Sequence, residues 1–125
     1  MDTVEKGAIG EALARQHLVD LGYSILGQNQ RTRRGELDLV ARSPEGILCF
    51  VEVKSSHGLN AGDPASWITP RKVLRLQRAA QAWCSVRNCL DVEMRFDAVT
   101  VRMDLKPVQV THIPGAFLPD ASGYF

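Results

Sequence analysis

The sequence has little of what marks several common function classes. Its three cysteines, Cys49, Cys84 and Cys89, are an odd number with no Cys-x-x-Cys spacing. That speaks against a zinc cluster or a disulfide framework. Net charge is almost absent, since fifteen basic and fourteen acidic residues leave +1. The total therefore lacks the basic excess usual in nucleic-acid binders, although a local basic face remains open. No apolar run reaches the length of a membrane span, and the opening Met-Asp-Thr-Val-Glu-Lys is charged rather than apolar. Repeats, low-complexity runs and linkers are missing as well. The expectation is a cytoplasmic protein with no membrane contact, a single domain over residues 1–125. About 45% of the residues are hydrophobic, enough for a core without staples.

What is present reads as alternating elements. Val4, Gly7, Glu11, Ala14, Leu18 and Leu21 recur at three- and four-residue steps, which predicts a helix with these residues on one face. Gly22 is placed to close it. A weak strand is expected over Tyr23–Gln30, followed by a basic turn, Arg31-Thr-Arg-Arg-Gly35. Glu36–Arg42 and Ile47–Ser55 read as strands joined by Ser43-Pro-Glu-Gly46, hence an antiparallel pair. His57–Ile68 is a long loop. Thr69 and Pro70 fit the N-cap and first position of a second helix running to about Val86. Strands follow at Met94–Val101 and Val108–Ile113, then an irregular tail over about 114–125. The order α-β-β-β-α-β-β implies an α/β fold. It has a mixed sheet flanked by helices, and the second helix serves as a crossover between parallel strands.

Three charges interrupt the two central strands. By strand alternation, Glu36, Asp38 and Val40 face one way, and Leu37, Leu39 and Ala41 the other. Leu48, Phe50, Glu52 and Lys54 share one face of the next strand. Asp38, Glu52 and Lys54 can thus converge at one edge of one face. Either they form a solvated face or a salt bridge, or the surplus acid binds a hard cation such as Mg²⁺ through carboxylate oxygens. Glu11, on the otherwise apolar stripe of the first helix, is a structural glutamate or a third carboxylate for the same place.

Asp38, thirteen intervening residues, then Glu52-Val-Lys54 resembles the D…ExK signature of the PD-(D/E)XK nuclease superfamily. Gly7-Ala-Ile-Gly-Glu11 with Ala14, Gly35-Glu-Leu-Asp-Leu-Val-Ala41, Phe50-Val-Glu-Val-Lys54 and Arg95-Phe-Asp-Ala-Val99 together resemble the uncharacterised YraN-like family. That family is grouped with Holliday junction resolvases. Leu37 departs from the Pro of the superfamily name, and Ser55-Ser56 stand where Thr-Arg is common. The resemblance implies a restriction-endonuclease-like core and hydrolysis of DNA phosphodiesters. It makes Asp38, Glu52 and Glu11 ligands of Mg²⁺ or Mn²⁺, with Asp38, Glu52 and Lys54 catalytic. Lys54 would orient the attacking water or offset developing negative charge. Glu36 is either an acid supporting these ligands or a solvated strand end.

Substrate contacts are expected from Arg31, Arg33 and Arg34 before the second strand, and from Arg71, Lys72 and Arg75 on the second helix, with Arg78 beyond them. Nothing points to direct base reading, so selectivity for branched or single-stranded DNA is expected rather than sequence specificity. The resolvase likeness implies a homodimer. Trp67 would stack on a base or close the core, Asp97 is read as structural, and His17, His57 and His112 receive no role. The competing function is a catalytically silent module on the same fold, binding nucleic acid or recruiting a partner. A third reading is an unrelated α/β domain with a structural salt bridge between Lys54 and a carboxylate.

Overall fold

The computed structural model describes residues 3–56 and 69–117, with the side chains of Thr3, Val4 and Lys6 outside that description. The predicted loop His57–Ile68, with His57 and Trp67, and the tail beyond Phe117 lie outside the described residues. The order of elements is the expected one: α1 Thr3–Asp20, β1 Ser24–Thr32, β2 Gly35–Arg42, β3 Leu48–Ser56, α2 Pro70–Arg87, β4 Met94–Arg102 and β5 Gln109–Ile113. The strands form one five-stranded sheet in the order β1-β2-β3-β4-β5. β1, β2 and β3 run antiparallel in turn, β3 and β4 are parallel across α2, and β5 returns antiparallel.

The helix ends have local causes. Gly22 sits at φ +92° after α1. Its N–H donates to Val19 O and that of Tyr23 to Leu18 O, both at 3.0 Å, the paired bonds of a Schellman close. Thr69 caps α2 by accepting the Lys72 N–H at 3.2 Å, and Pro70 opens the helix. Asn88 ends it in the left-handed region at φ 56°.

The two helices cover opposite faces of the sheet. Ala14 and Leu18 of α1 pack with Leu39, Cys49, Val51, Val99 and Val101. Leu76, Ala80 and Trp83 of α2 pack with Val40, Phe50 and Phe96, and Phe117 seals that cluster. The buried face of α1 is narrower than its periodicity predicts. Gly7 is exposed and Leu21, in the turn after the helix, is half exposed, whereas Gly10 is buried. A Cβ on Gly10 would collide with Ser55 Oγ, so this glycine lets α1 lie close against the end of β3.

Two sequence expectations need correction. Leu37 does not share a face with Leu39; it packs with Val40 in the α2-side cluster. Alternation breaks at the residue between them, Asp38, where β2 stops pairing with β3. Arg31 is not in a turn, because β1 continues to Thr32 and pairs Arg31 with Glu36. No helix among the described residues is long and apolar enough to cross a membrane.

Candidate functional site

The antiparallel pairing of β2 with β3 runs from Arg42↔Leu48 to Leu39↔Val51 and stops there. β3 continues beside β4 through Ser56, so the sheet forks. Asp38 stands at the fork. Its Oδ2 accepts the backbone N–H of Val53 at 2.8 Å, taking the place of a strand carbonyl. Glu52, one residue earlier on β3, lies on the side covered by α2, where Arg75 Nη2 approaches its Oε1 at 3.5 Å. The Glu52 side chain keeps 23% of its surface exposed, so the site is open to solvent. Lys54 follows on the same face of β3 and is exposed.

Electrostatics tie the acids together. Burial, helped by the nearby Asp38 charge, pushes the Glu52 carboxyl above the ordinary range, with Arg75, Lys72 and Lys54 opposing the rise. Burial also raises Asp38, against the pull of the Val53 N–H and Arg75. Glu11 reaches the same region from α1. Burial and the Asp38 charge raise it, and the nearby Asn29 side chain opposes the rise. Asn29 has φ 51° and lies between Gln28 and Gln30, which pair with Leu39 and Leu37. The sequence reading missed Asn29. An asparagine in a nominal strand, a residue that tolerates positive φ, was the available signal.

The fork suits a hard cation in one respect. Asp38 and Glu52 are oxygen donors whose crowded negative charge is costly without a counter-ion, and Mg²⁺ commonly takes one or two carboxylates plus waters and phosphate oxygens. Among the described residues, however, no three His, Cys, Asp or Glu side chains form a ready-made cage. The donor set is therefore the Asp38–Glu52 pair, with Glu11 as an outlying acid.

The remaining expected residues scatter around this centre. Arg31 and Glu36 form an exposed ion pair at 3.1 Å, so Glu36 points outward at the strand end. Arg33 and Arg34 occupy the β1–β2 turn, and Arg71 the first turn of α2, all exposed. Lys72 is half-buried and near enough to Glu52 to influence it.

Asp97 is a different kind of acid. It is fully buried and accepts Arg95 Nε and Nη2 at 2.8 Å each and the Gly115 N–H at 2.9 Å, with His112 Nε2 also at 2.9 Å. Tyr23 Oη sits 2.6 Å from Arg95 Nη2. Burial alone would raise the carboxyl, but His112, Arg95 and Gly115 outweigh it and hold Asp97 at about 2. The network ties Tyr23, just before β1, to β4, β5 and the turn after β5. His112, given no role from sequence, is one of its members.

The mixed sheet between two helices, in the order α-β-β-β-α-β-β, is the architecture expected from the sequence. The sequence matches the uncharacterised protein family UPF0102 over residues 10–101, and the chain belongs to that family, the YraN-like one. A UPF0102 protein of Trichlorobacter lovleyi is 39% identical over 112 residues, covering 89% of this chain and 88% of that one. One from Anaeromyxobacter dehalogenans is 42% identical over 111 residues, covering 89% and 82%. Among solved structures, Pyrococcus furiosus SfsA in complex with Ca²⁺ aligns over 90% of this chain and 64% of its own, with TM-score 0.39 and 14% identity, too distant a likeness to bear on function.

Proposed function

We propose that this protein is a metal-dependent endonuclease that hydrolyses DNA phosphodiester bonds, with branched or single-stranded DNA as its substrate class. The observation that carries the reading is the fork itself. β2 leaves β3 at Asp38, whose carboxylate and that of Glu52 stand together, half-buried and electrostatically strained, at an opening of the sheet.

Asp38 and Glu52 would hold Mg²⁺ or Mn²⁺ there. When bound, such a cation polarises a phosphate and lowers the pKa of water. The Val53 N–H fixes one Asp38 oxygen, and the other, with no hydrogen bond among the described residues, can serve the opening. Lys54, exposed beside Glu52, orients the attacking water and offsets charge that develops on the phosphate. Arg75 neutralises Glu52 in the free protein and is placed to transfer its charge to an incoming phosphate.

A catalytically silent binding module is the second reading. The absence of a three-ligand cage among the described residues keeps it in view. Cleavage of labelled linear, single-stranded, flap and four-way DNA with Mg²⁺ or Mn²⁺ separates the two. Metal-dependent cleavage that is lost in Lys54→Ala and Asp38→Asn supports the enzyme and ranks its substrates. Salt-sensitive binding without cleavage of any of them supports the module.

A further inference from the structure

The β1–β2 turn and the outer surface of α2 enclose an open groove of about 470 Å³, lined by Arg33, Arg34, Arg78, Gln81, Ser85 and Leu90. No acid lines it. Arg31, Arg75, Arg95 and Arg102 each have a carboxylate partner, whereas Arg33, Arg34 and Arg78 take part in none of the ion pairs among the described residues. The turn lies near the helix here: a Cβ built on Gly35, at φ +140°, would come into ordinary contact with the side chains of Ala79 and Arg75. Three like charges are thus gathered in one concavity with no internal partner. Packing offers no reason for this, because all three arginines are exposed. An anion in the groove does.

The groove also has a direction. Arg71, Arg75, Arg78, Ala82 and Ser85 fall on one stripe of α2 by helical spacing, and Arg75 is the residue that touches Glu52. Arg78 lies about 4.5 Å, and Ser85 about 15 Å, along the helix axis from Arg75. The stretch from Arg78 to Ser85, about 10 Å along the helix axis, is long enough to meet neighbouring phosphates of one strand. The guanidinium groups, the Gln81 amide and the Ser85 hydroxyl are the side chains that grip phosphate oxygens. Leu90, well exposed at the far end, offers an apolar surface to a sugar or base.

We propose that this groove holds the sugar–phosphate backbone of one nucleic-acid strand to one side of the acid fork, positioning a phosphate for that site through contacts on neighbouring nucleotides. The inference rests on the nucleic-acid half of the proposed function and not on hydrolysis.

The test is binding of a labelled single-stranded oligonucleotide and its duplex, in EDTA, across a salt series, by fluorescence anisotropy. Arg33→Ala/Arg34→Ala/Arg78→Ala is expected to bind at least about tenfold more weakly, with a log–log salt slope shallower by about two to three. The triple lysine variant keeps most of the wild-type slope, and Arg15→Ala, on exposed α1 surface, changes nothing. A triple alanine variant that melts like wild type yet keeps its slope overturns the proposal. So does a wild-type protein that binds polyglutamate but no oligonucleotide at low salt, which would make an acidic polypeptide the occupant. A protein that cleaves no DNA but shows the slope change retains the groove and loses the hydrolase reading. One that cleaves DNA with a KM untouched by the triple substitution does the reverse.

Discussion

The Asp38 carboxylate and the Val53 backbone N–H, fifteen residues apart in the chain, meet at 2.8 Å where β2 and β3 part. One residue thus closes the end of a β-ladder and presents charge at the opening. The two roles have different consequences when the side chain is changed.

Asp38→Ala leaves the Val53 N–H without its acceptor and is expected to cost about 1–3 kcal/mol in metal-free protein. Asp38→Asn keeps an acceptor oxygen and should stay within about 0.5 kcal/mol of wild type. Denaturant melts in EDTA measure both. Loss of stability in Asp38→Ala therefore does not by itself distinguish a metal site from a structural salt bridge.

Glu52→Gln makes that distinction. It removes a half-buried charge that repels Asp38, and forfeits a partly exposed pair with Arg75 worth about 0–1 kcal/mol. A metal site predicts a neutral or stabilising change without metal. A drop of more than about 1 kcal/mol in chemical denaturation would mean that the Glu52–Arg75 pair is structural.

Two pH effects of opposite sign should appear. Asp97 falls from an ordinary 3.8 to about 2 on folding. Its contribution, about 2 kcal/mol, is complete above the unfolded value and is lost as pH falls from about 4 toward 2. Glu11, Asp38 and Glu52 are raised, so the folded state binds more protons than the unfolded state just above the ordinary carboxyl range. Stability there decreases as pH rises. Asp97→Asn should flatten the acid limb, and Glu52→Gln the opposite slope. Stability measured against pH for the three proteins tests both signs.

Asp97→Ala strands the Arg95 guanidinium and is expected to cost about 3–5 kcal/mol. Nucleic-acid affinity per folded molecule should be unchanged, because the network lies on the α1 side of the sheet. Oligonucleotide binding corrected for the folded fraction measured by calorimetry checks this; a fall in affinity per folded molecule would show a functional role.

Gly10→Ala must push Ser55 or lift α1 and is expected to destabilise by about 1–3 kcal/mol. Gly7→Ala meets open space and should stabilise by about 0.5–1 kcal/mol. Ser55→Gly should rescue Gly10→Ala but not alter Gly7→Ala; thermal melts of the double variants decide this.

Much of the fold was legible because its signals are local. Thr69-Pro70 marks a helix start, Gly22 a helix end, and Ser43-Pro-Glu-Gly46 a turn, whatever surrounds them. The parallel crossover followed from a helix between two strands. The face of Leu37 was not legible, because alternation assumes an unbroken ladder and the ladder breaks at Asp38. Nor was the burial of Gly10 rather than Gly7, which depends on where α1 crosses β3. Asp38 and Glu52 stood out as charges in apolar strands. The Asn29 contact with Glu11 and the place of His112 beside Asp97 join residues far apart in the chain, and no local pattern encodes them.

The most direct measurement is a Mn²⁺ titration of the free protein followed by electron paramagnetic resonance. The account predicts saturable binding that is lost in Asp38→Asn and in Glu52→Gln, kept in Lys54→Ala, and tightened in Arg75→Ala, where Glu52 loses its competing cation. Binding that is the same in wild type and in the Asp38→Asn/Glu52→Gln double variant would contradict it, and the fork would then be no metal site.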